Sequence, residues 1–208
     1  MKLQWISFFK YSVFAASVML SSSHAVAAAC CGVNFANPSL IAGDERALLT
    51  AGMAYTEIVA EVYSDGWWRR REQHETQSAF RLQGALLIGD RWQTGLGLPI
   101  IQRSRGSQSA SGLGDITASV GYEYLPDWDY QPFRPKGLGF IQITAPTGRS
   151  VYDSEHTQFL DSRGRGFWSL GVGTLLTKTL LGAWDLFIQT DVHYAFPRQF
   201  AAMNVEPG

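Results

Sequence analysis

Asp191 and His193 stand two residues apart, so in an extended segment both side chains fall on one face, where a carboxylate can orient an imidazole acting as a base. A lipid hydrolase built on a strand would add a serine to that row. The position after next is Ala195, however, and the nearest serine, Ser169, belongs to a neighbouring segment. The triad is not completed, and no enzyme is expected. His24, His74, His156 and His193 are too far apart for a metal-ligand spacing, and no cofactor is expected either. Gly112-Leu113-Gly114-Asp115 is rich in glycine but opens an extended segment rather than a helix, so it does not cradle phosphate.

The remaining polar residues with a recognisable spacing alternate with apolar ones. Arg81, Gln83, Gln93, Asp115, Thr117, Ser119, Glu123, Gln142, Thr144, Gln189, Asp191 and His193 fall on the polar side of their segments. Such residues either line a solute path or fill and hydrogen-bond a closed interior. Trp67, Trp68, Trp92, Trp128, Trp168 and Trp184, with Tyr122 and Tyr124, cluster near segment ends, where amphipathic rings suit a lipid-water interface. Trp67-Trp68-Arg69-Arg70-Arg71 offers guanidinium groups to the phosphates of lipopolysaccharide, or is simply a solvated loop.

The elements that would position these residues are strands. In Gln77 to Ile88, Ser78, Phe80, Leu82, Gly84, Leu86 and Ile88 oppose Gln77, Ala79, Arg81, Gln83 and Ala85, a period of two. Trp184 to Phe196 alternates more cleanly. Ile116 to Tyr124 and Trp168 to Thr177 set large residues against small or polar ones. Trp92 to Ile101 and Gly137 to Ala145 are weaker, and in the second the apolar phase slips between Phe140 and Ile141, which predicts a bulge. Arg46 to Tyr63 reads as strand on its Gly52 and its β-branched Thr50, Thr56, Ile58 and Val59. Seven strands result. Gly89-Asp90 and Leu181-Gly182 are tight turns, whereas Ser64 to Gln73, Arg103 to Ser111 and Gly148 to Arg165 read as long polar loops, with Pro126 to Lys136 a Pro-rich cap.

Alternating turn lengths and two-faced strands predict an all-β fold, an antiparallel transmembrane β-barrel of the bacterial outer-membrane type. Seven strands leave the last one running outward, where an even number is expected, so the sequence reads as an incomplete barrel. Residues 1–29 read as a secretory signal peptide: Lys2 and Lys10, an apolar core from Tyr11 to Leu20, shorter than the roughly 20 residues of a spanning helix, and Ala25-Val26-Ala27 for cleavage. Residues 30–45 form an N-terminal tail holding the adjacent Cys30 and Cys31, which cannot staple the fold over a distance, and residues 46–208 form the barrel. With 17 Lys+Arg against 18 Asp+Glu, the net charge of −1 excludes the basic footprint of a nucleic-acid binder. The partners expected are outer-membrane lipid, lipopolysaccharide and a small-molecule solute; the oligomeric state is open.

Gly112-Leu113-Gly114-Asp115-Ile116, a strand ending Gly121-Tyr122-Glu123-Tyr124, and a second ending Ala145-Pro146-Thr147-Gly148 resemble the G-x-G-D and P-T-G pattern of outer-membrane channel-like proteins associated with phenol-degradation (meta-pathway) gene clusters. The resemblance implies passage of small solutes, hydrophobic ones included, across the outer membrane, with Gly112, Gly114 and Asp115 at the outer rim. The rival expectations are a periplasmic or lipid-anchored β-sandwich that binds a partner, and a barrel enzyme acting on lipid.

Overall fold

The structure is a computed structural model that describes residues 38–62, 65–127, 134–155, 159–180, 184–200 and 203–205. The expected signal peptide, the cysteine pair and Trp128 lie outside them. The described strands are β1 (Ala47–Val62), β2 (Trp68–Ile88), β3 (Trp92–Arg105), β4 (Gln108–Leu113), β5 (Ile116–Leu125), β6 (Lys136–Ala145), β7 (Ser169–Leu180), β8 (Trp184–Ala195), β9 (Arg198–Phe200) and β10 (Met203–Val205). Strands β1 to β8 form one antiparallel sheet in the order β1-β2-β3-β5-β6-β7-β8, with β4 on the C-terminal half of β3, and β9 and β10 pair separately. Each main strand hydrogen-bonds its neighbour in sequence, and among the described residues β1 and β8 are paired on one side only.

The burial pattern is the reverse of a soluble sheet's. The face carrying Leu96, Ile100, Val120, Ile141, Ile143, Val172 and Val192 is open, with Ile141 53% and Val172 58% exposed. The opposite face is closed although it is polar: Arg81, Gln93, Ser119, Glu123 and Gln142 are buried, Gln142 to 1%. A sheet in water hides its apolar face, because each exposed apolar side chain there loses transfer free energy. A sheet in lipid turns that face outward and keeps its polar groups and backbone satisfied inside. The twelve residues of β8 cover about 40 Å at ~3.3 Å each, or about 30 Å across at the usual ~40° tilt, enough for an apolar band and its aromatic borders. The architecture is a transmembrane-type barrel wall, open between β1 and β8, and a two-sheet sandwich with the aromatic residues inside is not what the chain forms.

Two sequence expectations are corrected. Ser64 to Gln73 and Arg103 to Ser111 are not long loops: β2 begins at Trp68, and β3 turns at Gly106-Ser107 directly into β4. The extension is held by inward pairs across the ladder, Arg105 Nε on Glu75 (2.8 Å) and Arg103 Nε on Gln77 (3.0 Å), and by Gly106 at φ 59°, which a glycine adopts without strain. The sheet therefore has eight strands where seven were counted. Second, the phase slip at Phe140/Ile141 is no bulge. β6 pairs with β7 without interruption, and the one register shift against β5 lies between Glu123 and Leu125. Phe140 points inward and is 3% exposed, because Gly121 and Gly173 face it from the flanking strands. A Cβ on Gly173 would lie 2.6 Å from Phe140 Cζ. Trp67 and Trp68 lie at the tip of the β1–β2 hairpin, 72% and 74% exposed.

Candidate functional site: the lumen face and its outer mouth

Alternation along β2 to β8 puts the sequence-predicted lumen residues on one face. Arg81, Gln83, Gln93, Thr117, Ser119, Glu123, Gln142 and Thr144 lie there, and Gln189, Asp191 and His193 continue the face onto β8. Register sets Ser119 opposite Gln142, Gln142 opposite Gly171, and Gly171 opposite His193. The imidazole lies over Gly171, whose missing side chain makes room for it. His193 Nε2 is 2.9 Å from Asp191 Oδ2, and Gln189 Nε2 donates to Asp191 Oδ1 at 3.0 Å. The carboxylate is thus shared along its own strand, and Ser169 stands opposite Ala195 rather than His193.

The segment before β1 occupies part of this face. The Ile41 N–H donates to Gln93 Oε1 (2.6 Å), and Gln93 Nε2 donates back to the Ile41 carbonyl (3.4 Å), so one buried amide is satisfied at both ends by one residue's backbone. Ser39 lies against Gly95 and Leu40 against Gly121, where a Cβ would stand 2.5 Å from the Ser39 carbonyl and 3.2 Å from Leu40 Cδ2. Lys136 Nζ ties the segment to the wall by donating to the Gly43 carbonyl (3.1 Å) while it pairs with Glu123 (3.3 Å). Below Ile41 a cavity of about 730 Å³ opens, lined by Glu123, Lys136, Lys178 and Asp127 among others, and Lys178 Nζ donates to Asp127 at 2.6 Å. No sequence signal marked Ile41 or Lys136, because their partners are 52 and 93 residues away.

At the other end the glycine-rich segment and the P-T-G turn close on one another. Asp115 sits in the break between β4 and β5, where its Oδ1 accepts from the Gly148 N–H (3.0 Å) and its Oδ2 from the Arg165 N–H (2.7 Å). Burial pushes the Asp115 carboxyl up, and these two N–H groups hold it back. Thr147 Oγ1 donates to the Gly114 carbonyl (2.7 Å) and accepts from the Ile116 N–H (3.0 Å). The glycines are contact points: a Cβ on Gly148 would meet Gly114 and Gly164 backbone at 3.0 Å, and one on Gly112 would meet the Arg163 guanidinium at 2.7 Å. Pro146 precedes this turn. Asp115 therefore anchors the loop from Gly148 to Phe167 instead of presenting a free carboxylate to the lumen. Within that loop Asp161 accepts from Arg149 (2.9 Å), from the Glu155 N–H (3.1 Å) and from Ser154 Oγ. Burial alone would raise Asp161, but these donors outweigh it and hold the carboxyl well below the usual range. Phe167, Phe200 and Tyr152 stack behind the loop, Tyr152 on Phe200 with centroids 4.6 Å apart.

The interface aromatics divide. Trp92 packs on Tyr122 (4.8 Å) at the β2–β3 turn end, and Trp184 starts β8 at the same rim. Trp168, with Tyr194 on Phe196 (5.2 Å), borders the opposite rim. Both sets are exposed on the apolar face, Trp92 at 54% and Trp184 at 73%.

No protein-family model matches the chain, and no curated protein matches it. Among solved structures it is similar to the crystal structure of an outer membrane channel from Pseudomonas putida F1, at 19% identity and a TM-score of 0.49, over 77% of this chain and 59% of that one. The chain thus spans about three-fifths of that channel's length.

Proposed function

We propose that the chain is the wall of an outer-membrane channel through which small solutes, hydrophobic ones included, move passively after export by a cleaved signal peptide. The observation that carries this reading is the inverted burial: strands β2 to β7 offer apolar side chains to the surroundings while the polar Arg81, Gln93, Ser119, Glu123 and Gln142 are buried on the opposite face. A catalytic role has less support, since the His193 imidazole is held by Asp191 with no serine in its row. At the β1–β2 tip, Arg69 and Arg70 are exposed beyond the apolar band, where the phosphates of lipopolysaccharide are the partner that fits.

Two measurements test the reading. The mature protein is expected in the detergent-requiring membrane fraction and, reconstituted in a planar bilayer, to conduct. Recovery in the aqueous periplasmic fraction would refute the membrane assignment, and a bilayer-inserted protein with no conductance would refute the channel. His193→Ala is expected to leave any lipid hydrolysis at background; abolition of a real activity would instead favour an enzyme.

A further inference from the structure

The lumen face of the outer half carries arginines on adjoining elements: Arg81 on β2, Arg103 and Arg105 on β3, and Arg163 from the loop, laid over Gly112 of β4. The carboxylates around them are engaged. Glu75 takes Arg105, Asp161 takes Arg149, Asp115 takes two backbone N–H groups, and Asp153 accepts from Ser150 Oγ at 2.8 Å. Arg103 and Arg163 differ. Arg103 donates to the neutral Gln77 amide oxygen (3.0 Å) and Arg163 to the Ser111 carbonyl (3.1 Å), and among the described residues neither has a carboxylate partner. The Arg163 Nε is enclosed without an acceptor. Arg103 pairs with Ala110, and Gly112 under Arg163 is the next inward position along β4, about 7 Å on at ~3.4 Å per residue. Both residues are partly exposed.

We propose that Arg103 and Arg163 are a pair of fixed positive charges that make the outer mouth selective for anions, with carboxylate-bearing solutes as the favoured class. A guanidinium keeps its charge at any working pH and presents a planar fork that matches a carboxylate's two oxygens. Two of them in a narrow wall of low dielectric concentrate anions at the entrance. The first guanidinium can hand a carboxylate to the second one inward position further on.

This inference rests on the channel reading, and the experiment separates the two. The full-length protein is reconstituted in a planar bilayer under an asymmetric KCl gradient and the reversal potential is read, then repeated with potassium acetate and potassium benzoate. The expected result is a preference for the anion of about tenfold, the low end of focusing by a one-signed cleft, falling towards unity in the Arg103→Gln, Arg163→Gln double variant and kept in Arg103→Lys. The lysine variant guards against a loss that merely reflects misfolding. A wild-type potential set by potassium, or a preference unchanged in the double variant, would overturn the selectivity while leaving the channel intact. Absence of any conductance would overturn the channel reading itself.

Discussion

Ile141→Arg separates a wall in lipid from a sheet in water by its energy alone. Ile141 is the sixth of the ten residues of β6, lies between Val120 and Val172 of the neighbouring strands, and has half its surface open. In water, an arginine at so exposed a site changes stability by no more than about 0.5 kcal/mol. At the middle of a bilayer the same side chain costs about 2–4 kcal/mol on the lipid face of a barrel, a factor of roughly 30 to 1,000 in the folding equilibrium. The cost also depends on depth, falling to about 0–1 kcal/mol near the interfaces. Leu186→Arg, two residues from Trp184 at the rim of β8, is therefore expected to be nearly neutral. The assay is equilibrium unfolding in urea of protein folded into lipid vesicles, with wild type, Ile141→Arg and Leu186→Arg side by side. Equal small effects at both positions would refute the lipid-facing assignment of the apolar face.

Three further outcomes follow from the geometry. Asp115→Ala removes the acceptor of two backbone N–H bonds to a charged group, each worth about 1.5–3 kcal/mol; it is expected to expose Arg149 and Arg163 to trypsin in the folded protein, and unchanged protection would refute the anchoring role. Gly173→Val drives a side chain into Phe140 and the Thr190 carbonyl and is expected to destabilise the protein by about 1–3 kcal/mol in the same urea assay, whereas Gly52→Ala, with nothing within 4 Å, is expected to have no cost. The Asp161 carboxyl is depressed in the fold, so its contribution is complete above the unfolded value of about 3.9 and is lost only as pH falls through the lower folded value. Carbon-detected NMR should give a midpoint well below that of an exposed aspartate, and one near 4 would remove the proposed tie to Arg149.

How much of this was legible in the sequence differs by element. β5, β7 and β8 could be read by period two because their inward residues are mostly glycine, polar or charged, Leu175 and Phe187 being the large exceptions, and their outward ones mostly apolar. β6 could not, since Leu138 and Phe140 point inward and are buried, 0% and 3% exposed, Phe140 in the gap left by Gly121 and Gly173 on the flanking strands. The outer reach of β2, β3 and β4 was hidden for a related reason. Beyond the apolar band both faces are polar, as in Arg69 to Gln77 and Gln102 to Ser111, and a strand there looks like a loop until its cross-strand partners are known. The G-x-G-D and P-T-G segments were visible as motifs, but that Asp115 binds the backbone of both Gly148 and Arg165 depends on contacts 33 and 50 residues long. That the polar residues of β2 to β8 share one face was legible because alternation alone determines it. The seated segment at Ser39 to Gly43 carries no period and was invisible.

That seated segment bears on the order in which the molecule is made. It leaves the ribosome before any wall strand, yet its partners are Gln93, Gly121 and Lys136, the last 93 residues later in the chain. Contacts of such long range form late and slowly. Until β3, β5 and β6 have paired, Ile41 has no acceptor and no cover, and once they have closed around it the two bonds with Gln93 are shielded from water. Residence of the segment is therefore settled while the strands pair, and a chain that pairs its strands first would arrive at the same wall with a different interior.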